Sequence, residues 1–166
     1  MFALSNVSMP NSKICSVNFN KSALDILYSE IDNLYAIKEF EAHTKGHHIK
    51  EKKYQRKREL NDQSYYLFIF TRLEKRISDL VNSLIDDKNN SITNYKNKNA
   101  WRLIKKKKLE LMERVSFFIQ PGGTDYNLIY DYKKKRDSVA HGDYASGINI
   151  PTILTDMKRL YNNFNN

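Results

Sequence analysis

Between Tyr66 and Leu84 the apolar residues of this chain recur at intervals of three and four: Tyr66, Ile69 or Phe70, Leu73, Ile77, Leu80, Leu84. That spacing lines one side of an α-helix; on a strand, where side chains alternate every second residue, it would scatter them over both faces. Arg72, Glu74, Lys75, Arg76 and Asp79 fall on the opposite side, so the stretch from about Asp62 to Asp87 is expected to be a helix with one buried face. Such a stripe needs other helices to cover it, and four more segments offer them. Leu24, Leu27, Ile31, Leu34 and Ile37 share one face of a helix from about Ser22 to His43. Trp101, Ile104, Leu111 or Met112, Val115 and Phe118 predict a third helix that ends before Pro121. After the break at 121–123, Thr124 is a candidate N-cap and Asp125 suits the positive end of a helix over about 125–141, which Gly142 would close from the C′ position. Pro151 and Thr152 open the last helix, with Ile153 or Leu154, Met157, Leu160 or Tyr161, and Phe164 facing inward. Five Gly and three Pro in 166 residues are too few for a turn-rich β fold. The expected fold class is all-α, a small bundle of about five helices.

The length suits one domain. Residues 1–19 mix Ser and Asn with Pro10 and are expected to be irregular, leaving a helical domain over 20–166. Within it, GHHIKEKKYQRKREL (46–60) is rich in charge and is either an exposed helix or a basic connector. The Asn-rich DKNNSITNYKNKN (87–99) predicts a loop, because Asn competes for backbone hydrogen bonds outside helices. Cys15 is the single cysteine, which excludes an internal disulfide and a Cys-based zinc site. No apolar run is long enough to span a membrane, and the N-terminus carries neither a basic leader nor a hydrophobic signal segment, so a cytoplasmic location is expected. Lys plus Arg number 28 against 19 Asp plus Glu, a net charge of +9 that suits a polyanionic partner such as nucleic acid. The chain has no glycine-rich phosphate loop, nucleophile elbow or paired-cysteine motif, and no cofactor is expected.

Chemistry concentrates in K-K-K-R-D-S-V-A-H-G at 133–142. A guanidinium such as that of Arg136 holds phosphate oxygens in a planar fork and stays charged at any working pH. An imidazole such as that of His141 takes or gives a proton near neutrality. A spacing of five in an ideal helix turns by about 500°, so the two side chains point roughly 140° apart unless His141 sits on the helix end or a second copy completes the site. Asp137 and His141 are an i,i+4 pair and can hydrogen-bond, which would fix the imidazole tautomer. The residues equally allow a plainer reading, a histidine favoured by the negative end of the helix dipole beside one more solvated cation.

Late in an all-α domain of this length, R-D-S-V-A-H-G resembles the HEPN superfamily, with its Arg, a polar residue, three further residues and His. The trailing Ala-His-Gly is similar to the branch that includes RiboL-PSP-type proteins. The second long helix, YYLFIFTRLEKRISDLVNSLI, resembles the family's hydrophobic helix with an embedded Leu-Glu, here Leu73-Glu74. The resemblance implies a metal-independent endoribonuclease whose active site forms in a homodimer cleft, with Arg136 and His141 as the catalytic pair and Asp137 at the polar position after the Arg. It also implies RNA (tRNA or mRNA) as partner, and a toxin or antiphage-defence role with a cognate antitoxin or defence-system partner. The family often has Asn where Asp137 stands, which leaves the alternative of a catalytically inactive HEPN-like module that binds RNA or protein. His141 is followed by Gly142, Asp143 and then Tyr144, so the His-x-Tyr extension of the nucleotidyltransferase-paired toxins is missing and that system is not carried over.

Other candidates carry two readings each. Lys133, Lys134 and Lys135 adjoin Arg136 and either contact an RNA backbone or form a solvated face, as do Lys105 to Lys108. Tyr65, Tyr66, Tyr126, Tyr130 and Tyr132 either stack on bases or pack the core, and Trp101 is expected in packing. His47 and His48, near His43 and Glu51, look superficially like metal ligands, but adjacent histidines diverge on a helix and no metal site is expected.

Overall fold

The computed structural model describes residues 23–143, 145 and 147–164, so the irregular segment expected at 1–19 lies outside the described residues. Six helices follow one another: α1 (Ala23–Thr44), α2 (His48–Ser91), α3 (Tyr95–Lys106), α4 (Leu111–Val115), α5 (Thr124–Ala140) and α6 (Ile150–Asn163). No strand occurs among the described residues, and no helix there is long and apolar enough to cross a membrane.

Helix α2 organises everything else. Its 44 residues run unbroken, a rod of about 66 Å, and each of the other helices packs against it. Tyr66, Ile69, Phe70, Leu73, Ile77, Val81 and Ile85 are buried along its second half. The buried line leaves the expected one after Ile77: it proceeds in steps of four through Val81 and Ile85, while Leu80 and Leu84 sit half-buried at its margin. From α6 and its C-cap come Ile153, Met157, Leu160 and Phe164, and from α4 and α5 come Val115 and Ile129, to close a core around Phe70 and Leu73.

From His48 onward the segment at 46–60 is helix, continuous with the rest of α2, rather than a connector. Lys, Arg, Glu and Gln are good helix formers, and α1 lies alongside to hold them. The expected loop at 87–99 shrinks to three residues, 92–94. Asn94 acts there as an N-cap, accepting hydrogen bonds from the backbone N–H groups of Lys96 (3.1 Å) and Asn97 (3.3 Å). The single third helix is two, α3 and α4, because the chain is extended at Lys107 and Glu110 between them. The Glu113 carboxylate secures that corner by accepting from the Glu110 N–H (2.9 Å) and from Lys107. Thr124 is the first helical residue of α5 and Gly123 takes the cap position. Asp125 bonds to Arg159 (2.6 Å) and Asn163 (3.0 Å) of α6.

Helix α1 does not turn most of its apolar stripe toward α2. The side against α2 carries Asp25, Tyr28, Asp32, Tyr35, Glu39 and Ala42, spaced alternately by three and four, and of these only Ala42 is fully buried. Tyr28 stacks on Tyr65 (ring centroids 4.1 Å apart) and its hydroxyl donates to Asp62 (2.7 Å). Arg58 forks onto Asp32 (2.8 and 3.3 Å) and reaches Glu39 (3.1 Å). Leu27, Leu34, Ile37 (59% exposed) and Phe40 (68% exposed) point away from α2.

Candidate functional site

The R-D-S-V-A-H-G stretch lies where α5 ends against the middle of α2. Two backbone hydrogen bonds make that end: the Asp143 N–H donates to the Ser138 carbonyl (3.0 Å) and the Gly142 N–H to the Val139 carbonyl (3.0 Å). This is a Schellman closure, and it requires the left-handed φ of +89° that Gly142 supplies. His141 is the C-cap residue, already off the helical path at φ −82° and ψ 1°, and it is exposed.

Arg136 sits one turn back and faces inward, only 27% of its side chain exposed. One guanidinium nitrogen bonds to Glu74 of α2, another to its neighbour Asp137 (2.8 Å), and the guanidinium lies over the Phe70 ring at 5.6 Å. Its buried Nε has no hydrogen-bond partner. The Asp137 carboxylate also accepts from Lys133 Nζ (2.6 Å), one turn earlier on α5. Glu74, Arg136, Asp137 and Lys133 thus form a chain of alternating charge that is neutral in sum. Below it the Tyr66 hydroxyl donates to the Tyr132 carbonyl and pins α5 to α2; burial pushes that phenol's pKa upward.

The structure therefore brings Arg136 and Asp137 together but does not join either side chain to His141. The Asp137–His141 side-chain bond permitted by their spacing is not made, because two cations already occupy the carboxylate. The three lysines part company: Lys133 is tied to Asp137, Lys134 rests over the exposed Tyr130 ring at 4.3 Å, and Lys135 is partly exposed. In the Lys105–Lys108 run, Lys105 pairs with Asp86 (2.7 Å) and Lys107 with Glu113, at the corner between α3 and α4. Tyr65, Tyr66 and Tyr132 are buried, Tyr126 packs against the core, and Trp101 meets Phe117 at 6.2 Å. Near the first bend, Glu51 joins His43 (2.9 Å) and His48 (3.3 Å), and these hydrogen bonds, led by that of His43, hold its carboxyl below the usual range. Among the described residues no three His, Cys, Asp or Glu are placed to hold a metal ion.

Two contributors were not foreseen as site residues. Glu74 anchors Arg136 from 62 positions away, a pairing that local spacing does not reveal. Gln63 is 8% exposed on α2, and its amide nitrogen has no hydrogen-bond partner. Its signal was present: Gln63 stands three residues before Tyr66, on the buried stripe, where an apolar residue would be expected. No protein-family model, curated protein or solved structure matches this chain.

Proposed function

We propose that the chain is a metal-independent endoribonuclease acting as a homodimer, in a toxin or antiphage-defence role, with Arg136 and His141 as its catalytic pair. The observation that carries this reading is the disposition of the motif: an exposed imidazole on a glycine-closed helix end, one turn beyond an arginine whose fork is held in place by Glu74 and Asp137. A second copy would supply the facing Arg–His pair that one copy cannot bring together. In the reaction the ribose 2′-oxygen bonds to the adjacent phosphorus as the bond from phosphorus to the 5′-oxygen breaks. One His141 takes the 2′-hydroxyl proton, the other protonates the departing 5′-oxygen, and Arg136 stabilises charge on the phosphoryl oxygens. The products are a 2′,3′-cyclic phosphate and a 5′-hydroxyl, and DNA, which lacks the 2′-hydroxyl, is spared.

The same ion-pair chain favours a second reading, a non-catalytic RNA-binding module, because both carboxylates compete with phosphate for Arg136. One experiment separates the two. Labelled tRNA and mRNA are incubated in EDTA with wild type, Arg136→Ala, His141→Ala and Asp137→Asn. The catalytic reading expects cyclic-phosphate ends from wild type, a loss of at least about 10²-fold in both alanine variants, and faster cleavage by Asp137→Asn, which releases Arg136 from one carboxylate. RNA bound but uncut by wild type and by Asp137→Asn would leave the binding module. Cleavage abolished by EDTA, or DNA cut as fast as RNA, would overturn the mechanism.

A further inference from the structure

Beside the closed end of α5 is a cavity of about 240 Å³ between α2 and α5, lined in about equal measure by apolar side chains, Leu60, Leu67 and Val139, and by polar ones, Arg56, Gln63, Ser64 and Asp143. Arg56 comes from the first half of α2, next to Glu59 (3.2 Å), and Asp143 is the residue after Gly142. The lining residues Val139 and Gly142 flank His141 in sequence, so the cavity lies at the same end of α5 as the proposed catalytic motif.

Gln63 is the telling residue. A buried amide nitrogen without a partner costs free energy, and apolar side chains of the same size would fill the position without that cost. The terminal amide torsion of glutamine is broad, so a small rotation turns the nitrogen toward the cavity it lines. The occupant must then offer an acceptor there, and it must be small, since the cavity falls below the roughly 300–1,000 Å³ of pockets for whole drug-sized ligands. Leu60, Leu67 and Val139 offer a flat ring an apolar seat, the polar lining faces the ring's edge, and the Asp143 carboxylate repels a phosphate while accepting from an amino group. Arg56 suits the phosphate that follows such a ring along a strand.

We propose that this cavity takes one unstacked base of a single-stranded RNA, read by Gln63, with Arg56 on the neighbouring phosphate. The inference rests on the RNA reading above and adds a base-reading site to it. An unpaired base splayed into an apolar pocket and hydrogen-bonded on its edge is how sequence is recognised in single-stranded RNA.

The test uses the full-length protein and uncleavable 2′-O-methyl hexamers of U, C and A, beside an abasic hexamer with the same phosphates. Wild type is expected to bind at least one base-bearing hexamer ten-fold or more tightly than the abasic one. Gln63→Met, matched in size, is expected to erase that gap while leaving abasic binding unchanged and the melting temperature equal or higher. In wild type the Gln63 side-chain amide resonances should shift on adding the preferred hexamer and stay in place with the abasic one, a readout that needs no variant. The proposal is overturned if wild type shows no gap, if the gap survives in Gln63→Met, or if the amide resonances ignore the base. Because these hexamers cannot be cut, failure of the catalytic reading leaves this result standing, and a failed base site leaves the cleavage assay untouched.

Discussion

The two halves of α2 are covered in opposite ways. From Tyr66 to Ile85 its stripe is apolar and sealed by α3 to α6, with Tyr66, Phe70, Leu73 and Ile77 fully out of water. From His48 to Asp62 it is held to α1 by the stacked Tyr35 and Tyr54 and by Arg58 forked onto carboxylates, and most of the larger apolar residues of α1 are left outside. Both halves show the same helical period, yet one is held by hydrophobic burial and the other by directional polar contacts. The lesson is that a period of 3.6 identifies a helix, while the neighbour decides which side is covered.

Substitutions sharpen that contrast, beginning with the core. Leu73→Ala removes a fully buried side chain from the centre of the bundle and is expected to cost about 2–5 kcal/mol in urea unfolding, with hydrogen exchange accelerated throughout. Arg58→Ala breaks the fork onto Asp32 and Glu39. Since the side chain is over a third exposed, a loss of about 1 kcal/mol is expected, with faster exchange confined to α1 and the first half of α2. An effect that spread into α5 and α6 would show that the two regions unfold as one.

Smaller effects probe the seam and the outer face. Burial raises the Asp62 carboxyl above its usual range despite the Tyr28 hydroxyl it accepts. The folded state therefore keeps that proton to higher pH than the unfolded chain, and stability falls as pH rises through the interval above the ordinary carboxylate value. Asp62→Asn should flatten this dependence and leave the protein as stable as wild type, or slightly more so, at pH 7. Ile37→Ser lies on the outward side of α1 and is expected to shift stability by no more than about 0.5 kcal/mol. A loss comparable to that of Leu73→Ala would mean that this face is covered in solution.

These particulars show how far the sequence could be read. The stripe from Tyr66 to Ile77 was legible because spacing and burial coincide there. The inward side of α1 was not: Asp25, Tyr28, Asp32, Tyr35 and Glu39 have helical spacing just as regular as the leucines, but polarity hid them. The break between α3 and α4 was missed since no Gly or Pro marks it; backbone and side-chain bonds around Glu113 make it. In the site, Arg136, Asp137 and His141 stand out as a local motif. Glu74 becomes visible only once α5 lies against α2, whereas Gln63 was marked by its place on the buried stripe and only its unpartnered amide nitrogen needed the structure.

The unbroken length of α2 has a mechanical consequence. Glu74, which holds Arg136, and the bend after Thr44 are separated along one stiff rod by about 39 Å. A tilt of only about one degree in how α2 seats on α5 would displace the bend by about 0.7 Å, by the same rise per residue. Were α2 to reseat on α5 in that way, a probe attached at Lys45 would report it from a position remote from the site itself.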